Sequence, residues 1–360
     1  MRFFAIVSAH KLNKNRLVLV VGIGLVVVLV GVASALYFGE RGSDEQTSIG
    51  AQDRPANDYA LEAKWWAERI DTIGPEDAYE EFKHAYQQES YARQHTLAHI
   101  FGRVLYEKAG IEGFAICDSA FAFGCYHSFF GTSIKADGMS IVKELDGACR
   151  RRWGGAYMPC QHGIGHGILS SLGANHLQDA LDVCSTIMEQ PTGGCASGIF
   201  MEYNFRTMSA VWGEGERTLV RPLRDERDVH MPCALLPQQY TSACYYEQPQ
   251  WWEFVLGEDY ERSKALCAEI TEEDARGACF RGVGHYRANN GYDIEKVHDV
   301  CGTIAAGMPE QLFCYQGAAW LFLARQNGGA DTARALCEAI KREEDRAVCS
   351  ASIEGNIFRL

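Results

Sequence analysis

At 360 residues, with 47% hydrophobic and 22% charged residues, the chain has the composition of a packed globular protein, which sets disorder aside. The formal net charge is −13, and four of the 34 basic residues precede the first acid, so the remainder is more acidic still. Such a chain repels phosphate backbones, which excludes nucleic acid as a partner.

Residues 1–16 carry Arg2, Lys11, Lys14 and Arg16 and form a basic, cytoplasmic N-terminus. Residues 17–38 contain no charge, and at about 1.5 Å per residue they reach across a hydrocarbon core of roughly 30 Å. Glu40, Asp44 and Glu45 stand beyond. With the positive flank retained inside, this order predicts a single-pass anchor and an extracytoplasmic C-terminal body. Ala33-Ser34-Ala35 offers a cleavage site, so a cleaved signal and a secreted body form the alternative. Residues 39–57, acidic and rich in Gly, Ser and Gln, read as a flexible linker. Residues 58–360 read as one extracytoplasmic, disulfide-rich domain, starting with a helix over 58–71 that carries Trp65-Trp66.

The fourteen cysteines fall into seven successive pairs: Cys117/Cys125, Cys149/Cys160, Cys184/Cys195, Cys233/Cys244, Cys267/Cys279, Cys301/Cys314 and Cys337/Cys349. The second members are spaced by 35, 35, 49, 35, 35 and 35 residues, a period broken by one insertion near 206–231. Each unit has an amphipathic stretch ending at the first cysteine, a polar loop, then a more apolar stretch holding the second. Apolar positions recur at three and four, so both stretches are expected to be helices. The fold class is therefore all-α: tandem αα-hairpins in an open solenoid or a closed α/α toroid. In an exported chain, each cysteine pair is expected to be a disulfide across its own hairpin turn. A further, cysteine-free hairpin begins at Gly74-Pro75-Glu76-Asp77 and continues in a helix from about Tyr91.

With one cysteine pair per helical hairpin and a period near 35, the array resembles disulfide-bridged SEL1-like repeats. It departs from them in lacking their leucine-glycine and tyrosine spacing after the second cysteine. Gly163, Gly198, Gly282 and Gly317 all stand three residues past a second cysteine. Glycine at one register of a helix predicts close backbone contact, so the second helices are expected to form an inner layer.

Counted from the second cysteine, His127 and His162 fall at the second residue, and His166 and His285 at the sixth. His95 and His99 take the same two registers when Arg93 stands in the cysteine's place. His95/His99 and His162/His166 are H-x-x-x-H pairs, the spacing that lets two imidazoles on one helix face meet one ion. These six histidines are the candidate metal ligands, with His285 the more distant. Nitrogen donors in an oxidising compartment favour zinc or copper, with iron less favoured. No C-x-x-C-H haem attachment site, Walker loop, Rossmann fingerprint or G-x-S-x-G elbow occurs. Met201, Gln250 and Trp320 occupy the sixth register elsewhere, Met201 reading as core packing, with a soft metal ligand as the alternative. Glu202 is a candidate carboxylate ligand or catalytic general base. His10, His84, His176, His230 and His298 lie off these registers and read as incidental.

Two function classes follow. One is a metal-binding extracytoplasmic protein, an enzyme if the ion acts as Lewis acid or redox centre, a carrier or sensor otherwise. The other is a metal-free, disulfide-hardened scaffold that takes a protein or peptide on its repeat surface. The insertion is expected to be either a lid over the histidine face or a surface loop. Trp251-Trp252 is expected to form an aromatic contact surface or to fill a packing gap.

Overall fold

The computed structural model describes residues 58–189, 192–208, 220–289, 293–324 and 329–354. The predicted membrane segment at 17–38, the linker at 39–57 and the middle of the insertion lie outside them. All described residues belong to a compact unit running from Pro55 to Leu360. Among them are fifteen α-helices and no strand, in keeping with the all-α expectation. No helix among the described residues is long and apolar enough to cross a membrane.

Helix α1 (Tyr59–Ile73) begins where the Asp58 carboxylate accepts from the Ala60 and Leu61 N–H groups. Gly74, at φ 87°, ends it and leads into α2 (Pro75–Tyr86), with Pro75 in the first turn beside Glu76 and Asp77. Helix α3 (Tyr91–Ala109) completes the cysteine-free hairpin. The chain then continues through α4 (Ala120–Asp137), α5 (Val142–Trp153), α6 (Met158–Leu172), α7 (Leu177–Ser185) and α8 (Cys195–Asn204). Beyond the insertion come α9 (Gln238–Leu256), α10 (Tyr260–Glu269), α11 (Glu273–Asn289) and α12 (Ile294–Cys301). Helices α13 (Pro309–Leu323), α14 (Gly329–Glu338) and α15 (Glu343–Glu354) finish the series.

The seven disulfides join the seven expected pairs, with Cα–Cα separations from 5.4 to 5.8 Å. No cysteine is free. In five hairpins the bond ties the end of the first α-helix to the first two turns of the second. Closed loops of this size contribute about 2–3 kcal/mol each in the chain-entropy account. Two first helices depart from expectation. Before Cys117 there is only a 3-10 turn, Gly110–Ala115, because the segment after α3 is too short to nucleate an α-helix. Around Cys233 a 3-10 turn, Cys233–Leu235, lies between Pro232 and Pro237, which interrupt the N–H ladder.

Packing is sequential along the second helices: α3 on α4, α4 on α6, α6 on α8, α8 on α9, α9 on α11, α11 on α13 and α13 on α15. The glycine register explains how. A Cβ on Gly198 would lie 2.0 Å from the His162 carbonyl oxygen, one on Gly282 2.2 Å from that of Tyr246, and one on Gly317 1.9 Å from that of Arg281. Each contact joins the third residue past one cysteine to the second residue past the preceding one. The polar and aromatic rest of the fold follows this layer. Trp251 and Trp252 are fully buried, and their indole N–H groups donate to the Arg221 and Val229 carbonyls. They therefore fill the core and anchor the returning arm of the insertion, and they form no contact surface.

Gly317→Ala is expected to cost about 1–3 kcal/mol, the usual penalty for overpacking. Gly155→Ala, where an added Cβ meets nothing within 4 Å, should shift stability by less than about 0.5 kcal/mol. Urea midpoints of the two variants, measured with the disulfides intact, check both values.

Candidate metal centre

His95 and His99 stand one turn apart on α3, and His127 faces them from α4. The His99 Nε2 lies 3.1 Å from His95 Nε2 and 3.2 Å from His127 Nδ1. These three residues offer ligand nitrogens all within 4.8 Å of one another. The local backbone helps to set this up. Phe121, Ala122 and Phe123 adopt left-handed φ values of 52°, 52° and 62°, each costing a side-chain-bearing residue about 1–2 kcal/mol. That turn presents the Phe121 carbonyl to His95 Nδ1 at 2.7 Å. A strained turn of this kind beside a cluster of donors is where binding sites concentrate such conformations.

The carbonyl also decides a tautomer. It can only accept, so His95 Nδ1 carries the proton and donates, and His95 Nε2 presents a bare lone pair. His99 Nε2 then faces two ring nitrogens but has at most one N–H to share between them. At most one of these two contacts is then a well-formed hydrogen bond. A cation at the centre would remove the conflict. At zinc–nitrogen distances of about 2.0–2.1 Å, two ligands on one ion lie about 2.9–3.4 Å apart for octahedral to tetrahedral angles, which spans the two separations from His99 Nε2.

A second constellation sits on α6. His166 Nε2 is 3.1 Å from His162 Nε2, while His166 Nδ1 is 3.0 Å from a Glu202 carboxyl oxygen. Glu202 is buried on α8, where the Thr207 hydroxyl donates to it at 2.5 Å and the Met208 N–H at 3.2 Å. Its position is behind His166, so its geometry is that of a carboxylate orienting an imidazole. The His127 ring centroid lies 5.5 Å from that of His162 and 5.2 Å from that of His166, so the five imidazoles are contiguous.

All six candidate histidines line one cavity of about 290 Å³, together with Met201, Gln250 and Trp320 of the sixth register. Met201 is thus cavity wall instead of core. His285 enters from α11 on the far side, where the Tyr246 hydroxyl lies 2.9 Å from its Nδ1 and Trp320 packs on its ring. It is brought to the cavity but not into the cluster. Tyr246, Glu247, Tyr286 and Thr207 also line the cavity, and sequence reasoning missed them. One signal was available: Tyr246 is the second residue past Cys244, the register of His95, His127 and His162. Among the other histidines, His176 pairs with Asp179, His230 with Glu269, and His298 with Tyr315, and none of these three lines the cavity.

Burial sets the charge states. It lowers His95 to a pKa of about 4 and His166 and His285 to about 3, and holds His99, His127 and His162 well below 6.5. All six imidazoles are neutral near pH 7, the form that ligates a metal. Burial raises Glu202 to about 8 against the Thr207 and Met208 bonds, and Glu247 to about 8 against a short bond from the Tyr286 hydroxyl. The His166–Glu202 contact is therefore a hydrogen bond between neutral groups.

No family model matches the chain, and no curated protein or solved structure matches it. The likeness to SEL1-like repeats stays at the cysteine spacing.

These shifts predict a pH profile for the chelated protein. The histidines, depressed in the fold, contribute stability that is present above about 6.5 and lost as pH falls toward 4 and 3. The raised carboxyls contribute stability that is present below 4.5 and lost as pH rises through about 8. Thermal midpoints should peak near pH 6–7 and fall more steeply on the acid side, where six groups act instead of two. Glu247→Gln should flatten the alkaline limb and leave the acid limb in place.

Proposed function

We propose that this protein is an exported, membrane-anchored metal protein that holds a transition ion, zinc or copper, on His95, His99 and His127. The observation that carries the reading is the triad itself: three ring nitrogens from two helices all within 4.8 Å of one another, two of the pairs at 3.1 and 3.2 Å, with the His95 tautomer fixed by the Phe121 carbonyl. The seven disulfides support an oxidising, extracytoplasmic location. The charge pattern around residues 17–38 supports the anchor.

The hairpins would form a strongly curved solenoid. That His95 of α3 and Trp320 of α13 line the same cavity supports the curvature. Three protein ligands leave a fourth tetrahedral position free, the arrangement of catalytic more than of structural zinc sites. Here that position would open on a cavity with Phe123, Met201 and Trp320 in its walls, large enough for a small, mainly apolar molecule. In that role the ion would act as Lewis acid or redox centre, and the neutral Glu247 and the Tyr246–His285 pair would supply exchangeable protons on the opposite wall.

Elemental analysis of the full-length chain, chelated and then reloaded with zinc or copper, tests the reading. Wild type is expected to retain stoichiometric metal and to gain about 2.7 kcal/mol at a hundredfold excess of free ion over Kd. His95→Asn/His99→Asn is expected to hold one equivalent fewer. Absence of stoichiometric metal in wild type, or an unchanged amount in the double variant, would overturn it.

A further inference from the structure

The cluster contains more donors than one ion can use. Among the described residues, His95, His99 and His127 form the one group of three or more that meets at a single point. His162 and His166 lie outside it, yet their Nε2 atoms face each other at 3.1 Å, the same coordination spacing as within the triad. The pair is also prepared as ligands are prepared. Glu202, buried and held by Thr207 and Met208, engages His166 Nδ1 and so directs Nε2 toward His162. A carboxyl group hydrogen-bonded to the far nitrogen of an imidazole is an outer-shell arrangement that orients metal-binding histidines.

His127 stands between the two sets. Its ring centroid is 5.1 Å from His95, 5.3 Å from His99, 5.5 Å from His162 and 5.2 Å from His166. Nδ1 looks toward His99. The opposite ring edge looks toward α6, since a Cβ on Gly163 would meet His127 Cδ2 at 2.9 Å, and Gly163 sits on α6 between the two histidines. The glycine is what lets that edge come so close.

We propose a second metal site on His162 and His166, with the Glu202 carboxyl group as its positioning partner, so that the cavity holds a two-ion centre flanking the His127 ring. Both sites are nitrogen-rich and suit zinc or copper. Two ions on one cavity wall would polarise a bound oxygen-donor ligand from two sides, a clamp that a single ion does not provide. The second site has its own ligands, so it can fail while the triad reading stands.

Copper titration of the chelated full-length chain, followed by elemental analysis and electron paramagnetic resonance, separates the outcomes. Wild type is expected to bind two coppers with a magnetically coupled spectrum. His162→Asn/His166→Asn and His95→Asn/His99→Asn should each bind one, with the spectrum of an isolated ion. Glu202→Gln should keep the triad's affinity and weaken the other site about 10–100-fold. Far-UV circular dichroism and thermal midpoints of the chelated variants verify that each remains folded, and Glu202→Gln gives the answer should a double variant unfold. One copper in both wild type and His162→Asn/His166→Asn would overturn the second site and leave the triad. Two uncoupled coppers would overturn the placement around His127. No copper in wild type would overturn both readings.

Discussion

Where α8 meets α6, the Gly198 backbone approaches the His162 carbonyl so closely that a Cβ would lie 2.0 Å from the oxygen. The same approach recurs at Gly282 and Gly317, and in the opposite direction at Gly165 and Gly284, whose added Cβ atoms would meet the Cys195 and Cys314 carbonyls at 2.0 and 1.8 Å. Side chains short enough to project from such closely packed helices into a common space can meet across helices. Between α3 and α4 the close approach is at Gly102, whose added Cβ would lie 2.0 Å from the Cys125 carbonyl oxygen, and there His99 on α3 reaches His127 on α4 at 3.2 Å, although 28 residues separate them. The disulfides serve the same geometry from outside. By pinning each hairpin at its turn, they oppose the loosening that glycine-rich helices would otherwise invite.

Desolvation does the rest of the electrostatic work. In water an imidazole cluster of this density would take up protons as pH fell below about 6.5 and repel itself apart. Inside the cavity wall burial removes that option, and the rings stay neutral with lone pairs turned on one another. Neutral rings held this close are also at the spacing at which one ion could meet several of them. The two buried carboxyls respond oppositely to the same cause: both become harder to ionise, and Glu202 becomes a neutral hydrogen-bond partner of His166.

The insertion contributes to the site as well as decorating the array. Its first residues, Thr207 and Met208, hold Glu202, and Thr207 lines the cavity. Its return is clamped by Arg221, which lies over the Trp251 ring and whose N–H donates to the Asn204 carbonyl at 2.9 Å. The bonding of Glu202 thus depends on a departure from the repeat, which places one functional element outside the reach of any periodic reading.

The sequence by itself determined the pairing of the cysteines, the all-helical class and the two registers on which the six histidines fall. Each follows from a local or strictly periodic rule: hairpin loops short enough to close, apolar spacing of three and four, and side chains one helical turn apart sharing a face. It also overreached, in expecting a full α-helix before Cys117 and Cys233 where chain length and prolines permit only 3-10 turns. The tertiary structure alone decided which imidazoles touch, that His285 meets Tyr246 instead of the cluster, and that Glu202 stands behind His166. Those outcomes depend on helix-to-helix distances and crossing angles, which sum small packing choices over many residues. Spacing along the chain carries no record of that sum.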